Sequence, residues 1–286
     1  MSALARFAMR GWLEAAIIAS LAFAAQGLFV GIEVIGGAII GLVLLRHGER
    51  QALIVGSWAL IPILAWLVVV DTVPFLFRAF GLWLLFSVVV LTSVLRMTTS
   101  WSLLLIVHLG ISIAVALLIQ FAGQTSIEQM QTLLADVFVQ AKVDAPEQLI
   151  STYIGLWIAL FYGLMPVVSV MVARWMQASL YHPSGFQTEF HRLRMPRVWV
   201  LGLGSSIVLL LLSGSDFITL IMLMIIPLSL IGIAIVHHEV ERRKLGMEWL
   251  VLFYVLMVLL NWFVISLVVA LAIIDSLVDY RKLNAK

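Results

Sequence analysis

The chain has 286 residues, of which 63% are hydrophobic and 11% charged, and its mean hydropathy is +1.14. Ordinary soluble domains hold roughly 45–50% apolar and about 25% charged residues, so the composition excludes a soluble fold and predicts an all-α, polytopic transmembrane bundle. The net charge of +2 comes from short basic clusters between apolar runs, which excludes a nucleic-acid footprint, and the lack of cysteine excludes disulfides and thiolate chemistry.

No polar segment is long enough to fold alone, so residues 1–286 read as a single membrane-embedded domain. Arg6 and Arg10 precede an apolar run, and Ala24-Ala25-Gln26 imitates a cleavage site. Apolar sequence continues past it, which predicts an uncleaved first span. A membrane helix needs about 20 mainly apolar residues at ~1.5 Å rise each, and about eight to nine blocks qualify. The first two, about 12–28 and 30–46, are joined so closely that both must be short or steeply tilted. They carry two Gly-xxx-Gly spacings, Gly27/Gly31 and Gly37/Gly41. Such spacings let helix backbones approach, within the bundle or against a partner helix. The third block covers about 51–70, the fourth 75–95 and the fifth 101–122.

The polar segment 123–148 follows. Ser126-Ile127-Glu128-Gln129 fits a capping box. Ile127, Met130, Leu134, Val137, Phe138 and Ala141 recur at helical spacing, and Pro146 stops the pattern. This predicts an outer-face amphipathic helix, either covering span ends at the lipid boundary or serving as a lid over an outward pocket. The sixth block is about 149–173. The seventh, 198–213, and the eighth, 216–236, form a hairpin through Ser213-Gly214-Ser215-Asp216. The last, 247–277, is too long for one ordinary span. The absence of Gly and Pro favours one long helix. The basic tail, Arg281, Lys282 and Lys286, favours two half-spans hinged near Asn261-Trp262.

Arg6/Arg10, Arg46/Arg50, Arg96, the 174–197 cluster and Arg242/Arg243/Lys244 are each separated by two blocks. All therefore fall on one side, the cytoplasm, which predicts a multi-pass membrane protein with a cytoplasmic N-terminus. Within 174–197, Arg174, Arg192 and Arg194 alternate with Trp175, Tyr181, Phe186 and Phe190. His182-Pro183-Ser184-Gly185 turns the chain, with glycine permitting positive φ, and a short helix over 186–193 follows. This inner-face amphipathic segment is an anchor to anionic lipid or a docking surface for a partner.

Ionisable groups inside a bilayer cost roughly 2.5–3.5 kcal/mol at a helix centre, so the intramembrane polar residues are the candidates for a pocket: Gln26, Glu33, Arg78, His108 and Asn261. Asp71 and Arg78 are placed to pair across the Pro74 turn. Glu33 and Gln26 either reach outer water or line a pocket, and His108 is either a packing residue or a proton carrier. Pro62, Pro166 and Pro227 mark kinks. No P-loop, nucleophile elbow or HExxH is present. His237-His238-Glu239 lies in a basic helix where intrahelical ion pairing is expected in place of metal binding. No catalytic residue, cofactor or metal is expected.

Ala173-Arg174-Trp175, Gln177, Leu180-Tyr181, Pro183, Gly185-Phe186, Glu189-Phe190 and Leu193-Arg194 resemble the signature of the YybS-like proteins. These are a predicted bacterial membrane family of unknown function. Leu45-Arg46-His47-Gly48, Ile274-Asp275-Ser276 and Asp279-Tyr280-Arg281 fit as well. That family is distantly similar to the substrate-binding S-components of energy-coupling-factor transporters. The resemblance implies a helical bundle with an outward pocket for a small solute, and small-residue faces that dock a membrane coupling subunit. The expected function is therefore a non-enzymatic solute-binding component of a transporter. The alternative is a membrane scaffold or assembly partner using 174–197, and in either case the lipid bilayer is the first partner.

Overall fold

The computed structural model describes residues 2–29, 31–143, 146–213 and 217–278. Every regular element among them is helical: α1 (Ser2–Ala8), α2 (Trp12–Ala24), α3 (Glu33–His47), α4 (Glu49–Val69), α5 (Phe75–Thr98), α6 (Trp101–Ala122), α7 (Gln124–Gln140), α8 (Glu147–Ile158), a π segment (Ala159–Leu164), α9 (Met165–Tyr181), α10 (Gly185–His191), α11 (Arg197–Ser213), α12 (Ile218–Arg242), α13 (Met247–Leu259) and α14 (Asn261–Val278). Six helices are long and apolar enough to cross a membrane: α4, α5, α6, the continuous Glu147–Tyr181, α12 and α14. The apolar helices α2, α11 and α13 are shorter. The chain divides into two compact units, Met1–Phe186 and Gln187–Lys286.

The first unit is built around α3, which packs against α2, α4, α5 and α9. From Gly36 to Leu44 every residue of α3 is buried. Glycine makes this possible. A Cβ at Gly37 would lie 2.5 Å from Ser169 Oγ, and one at Gly41 would lie 3.0 Å from Ala173 Cβ. The Gly37/Gly41 spacing is thus filled by the protein's own α9 and α5. Gly27 and Gly31 do not form a helix-packing motif. They lie in the 25–32 connection with φ of +94° and +86°, values that favour glycine. With α2 and α3 only 13 and 15 residues long, the short first pair of helices matches the close spacing of their blocks.

The amphipathic helix over 123–148 is present, with different ends. Gly123 is its N-cap, Ser126 sits inside it, and it stops at Gln140, before Pro146. The capping box is therefore not used as one. Met130 is buried, Phe138 meets the Tyr153 ring at 5.8 Å, and Leu133, Val137 and Val139 remain exposed. The turn into α10 places its positive φ on Ser184, at +68°, and α10 itself is shorter than expected, ending at His191.

In the second unit α12 packs on α14 and α11. Val264, Val268, Ala272 and Asp275 form the buried stripe of α14. The Val268 carbonyl lies so close to Gly232 that a Cβ there would overlap it. The last apolar block is broken at Leu260 (φ −105°, ψ 7°), although no Gly or Pro marks the place. Asp275 comes to 3.7 Å from Arg194, while His191 reaches Glu241, near the end of α12, at 2.5 Å. The end of α14 thus returns toward the end of the unit where α13 begins, as two half-spans would. Residues 214–216 of the expected hairpin and the basic tail 279–286 lie outside the described residues.

Candidate functional site

Pro166 organises the polar interior of the first unit. It has no N–H, so the Tyr162 carbonyl four residues earlier loses its helical donor. The ladder widens into the π segment there, with the Met165 N–H bonding to the Leu160 carbonyl. Side chains of α5 and α6 take over the released carbonyls. Trp83 Nε1–H donates to Tyr162 O at 2.8 Å, and Ser112 Oγ approaches the same oxygen at 3.4 Å. His108 Nε2 meets Gly163 O. The Tyr162 hydroxyl closes the network on Leu76 O at 2.7 Å. π segments of this kind frequently mark functional positions.

A carbonyl only accepts, so His108 carries its proton on Nε2 when neutral. Nδ1 is then an acceptor, and it is buried without a partner. His108 is in this respect a packing residue on one edge and an unsatisfied one on the other.

Further unsatisfied atoms lie in the 25–32 connection and at the first residue of α3. Gln26 is only 4% exposed, and neither its oxygen nor its nitrogen has a hydrogen-bond partner. Gly81 of α5 makes room for it: a Cβ there would sit 2.6 Å from Gln26 Oε1. Glu33, also 4% exposed, faces the backbone N–H groups of Gly31 and Glu33, while its Oε2 is unpartnered. An acidic residue in the first turn complements the helix dipole. Arg78 does not pair with Asp71. Its guanidinium donates to Leu67 O at 2.8 Å, and its Nε is buried without a partner. Arg78 and Gly81 are one turn apart on α5, so Arg78 and Gln26 share that helix's N-terminal part.

Asn261 belongs elsewhere. It is exposed, in the second unit, at the break between α13 and α14. The candidate interface residues are divided as well. Arg174 bonds to Gln177, and Trp175 and Tyr181 are exposed on α9, with Arg46 lying 4.3 Å over the Tyr181 ring. Phe186 meets Trp101 at 6.1 Å. In the second unit Phe190 packs edge-on against His237 at 5.4 Å, Arg192 is exposed and Arg194 faces Asp275. Glu239 pairs with Arg242 at 2.7 Å and Arg243 at 3.2 Å, the ion pairing expected of the His237-His238-Glu239 helix. Among the described residues no group of three or more His, Asp or Glu is placed to hold a metal ion.

Trp83, Ser112 and Tyr162 were not legible as site residues, since aromatics and serine are ordinary in apolar blocks. Pro166 was the available signal. No protein-family model matches this chain, and no curated protein or solved structure is significantly similar to it.

Proposed function

We propose that this chain is a YybS-like, multi-pass protein of the bacterial inner membrane, with its N-terminus in the cytoplasm, that binds a small polar solute without transforming it. The observation that carries the reading is the set of buried, unsatisfied side-chain atoms on Gln26 and Glu33, in and just after the 25–32 connection. Three side-chain atoms of these two residues are buried without a partner. Each such atom costs about 1–3 kcal/mol, a cost that a solute offering both donors and acceptors would offset. Glu33 adds a preference for a solute carrying an N–H or ammonium group. The basic residues Arg46, Arg96 and Arg174 belong to the opposite end of α3 or to helix ends beside it. The positive-inside rule then puts Gln26 and Glu33 in the outer half. Supply of a solute from outside to a membrane coupling subunit fits that placement.

The test is ligand-dependent thermal stabilisation of the purified protein across a broad metabolite and vitamin library. A stabilising solute should lose its effect in Glu33→Gln. No stabilising solute, or one indifferent to both Gln26 and Glu33, overturns the reading. The scaffold alternative draws on the exposed Trp175 and Tyr181 of α9. Photocrosslinking from position 175 that recovers lipid alone would remove it.

A further inference from the structure

Arg78 is the polar residue of the first unit that the solute reading leaves unused. Its Nη1 donates to Leu67 O at 2.8 Å, and its Nε is buried without a partner. No acidic side chain among the described residues pairs with it. The Nε–Nη2 edge of the guanidinium, the side-on fork that arginine presents to a carboxylate, thus makes no hydrogen bond to the described protein. Arg78 also stands near the N-terminus of α5, which has no acidic residue in its first turn and no side-chain cap. The positive end of that helix dipole adds to its charge. Glu33 is the complementary case. It is 4% exposed, its Oε2 has no partner, and no basic side chain among the described residues pairs with it.

Helix register puts these opposite charges at one level of the bundle. A Cβ at Gly37 would lie 3.2 Å from Val88 and 3.6 Å from Leu84, and one at Gly41 would lie 3.2 Å from Thr92 and 3.5 Å from Val88. The two helices α3 and α5 therefore run in the same direction. Four residues before Gly37, Glu33 is level with the Phe80–Leu84 turn of α5. Gln26 meets that turn too, since its Oε1 lies 2.6 Å from where a Cβ on Gly81 would stand. Arg78 precedes Gly81 by about 4.5 Å along the helix axis. A carboxylate, an amide with both polar atoms unsatisfied and a guanidinium thus lie within about one helical turn of one another along α5.

We infer that the solute is an amino acid, its carboxylate on the Nε–Nη2 edge of Arg78 and its ammonium on Glu33. Gln26 serves both ends, Oε1 accepting from the ammonium and Nε2 donating to the carboxylate. A buried charge is costly unless it is paired. An amine would compensate Glu33 and leave Arg78 alone, and a simple carboxylate would do the reverse. A zwitterion compensates both without adding net charge to an apolar bundle. The inference rests on the solute-binding reading and adds Arg78 to it as the residue that selects the anionic end.

Thermal unfolding of the purified full chain, titrated with the standard amino acids, β-alanine and γ-aminobutyrate, tests this. Each stabilising amino acid is compared with the amine that lacks its carboxylate and the acid that lacks its ammonium. At least one amino acid should stabilise the protein and bind about tenfold or more tightly than either fragment, the effect of one charge-assisted hydrogen bond. This comparison needs no variant, so it decides the inference however Arg78→Gln folds. Arg78→Gln keeps a donor for Leu67 O and should weaken the amino acid about tenfold or more, leaving the amine unchanged. Arg78→Lys, which keeps the charge, should recover part of that loss. A solute that depends on Glu33 and Gln26 but binds equally well without a carboxylate, and ignores Arg78→Gln, overturns the inference and leaves the solute reading standing. Stabilisation by no solute of any class removes both.

Discussion

Gln26 is a place where the folded chain gives up stability. Its buried amide satisfies none of its polar atoms. Replacing it by the similarly sized, apolar leucine removes both unpaired groups, and for a group with no partner such a swap stabilises. Gln26→Leu should raise stability by about 1 kcal/mol or more in denaturation of the detergent-solubilised protein, while abolishing any solute-dependent shift. A loss of stability instead would mean that the amide has a structural partner. Gain of stability with loss of function is the pattern expected where a site is held in a poorly satisfied state for a ligand. The identity of Gln26 and Glu33 as exceptional residues was legible in the sequence, because polar side chains stand out in apolar blocks. Which of them pair was not. Arg78 chose the Leu67 carbonyl over Asp71, a choice set by the local backbone path that charge counting ignores.

At the scale of the element, the π segment joins a sequence cause to a packing consequence. Pro166 withholds a donor from Tyr162 O, and Trp83 and Ser112 supply donors in its place. Trp83 also stacks on the Tyr162 ring at 5.7 Å, so Trp83→Phe keeps ring contact and deletes chiefly the N–H. It should cost about 1–3 kcal/mol in the native background. In a Pro166→Ala background, where an amide can return to the carbonyl, the same change should cost clearly less. The coupling, read from a double-mutant cycle of unfolding free energies, is expected at 0.5 kcal/mol or above, roughly the threshold for residues that share a partner. Additive costs would show that proline and tryptophan do not serve one carbonyl. Helix periodicity and blocks of apolar residues placed α4, α5 and α6 almost to the residue. They missed the widened turn because a π insertion leaves no periodic trace over six residues. Helix continuity alone favoured one helix through Leu260, where no Gly or Pro marks the break, and only the basic tail pointed to a hinge near Asn261-Trp262.

At the scale of the molecule, six helices among the described residues are sufficient in length and composition to span, and the shorter apolar helices α2, α11 and α13 are the places where span counting by length becomes ambiguous. The sequence carried both readings of 247–277, and the return of Asp275 toward Arg194 favours the pair of half-spans. The tip of that pair is Leu260. A Leu260→Cys variant should therefore react with a membrane-impermeant thiol reagent from the outer side if α13 and α14 together reach that face, whereas Lys244→Cys should react only after the inner side is opened. Labelling of both from the inner side would refute the arrangement. The two units were not separable in the sequence, because the 174–197 stretch that contains their boundary reads as one continuous amphipathic signal.

The helical run Glu147–Tyr181 is 35 residues long, or about 52 Å at 1.5 Å per residue. The hydrocarbon core of a bilayer is only about 30 Å thick. The run must tilt, bend or project, at a cost that varies with membrane thickness. Its hydrogen-bond ladder is already widened between Ala159 and Leu164, where bending meets the least resistance. That same turn holds the carbonyls that His108, Ser112 and Trp83 occupy. The thickness of the surrounding membrane is therefore coupled, through one long helix, to the geometry of a polar network buried in its middle.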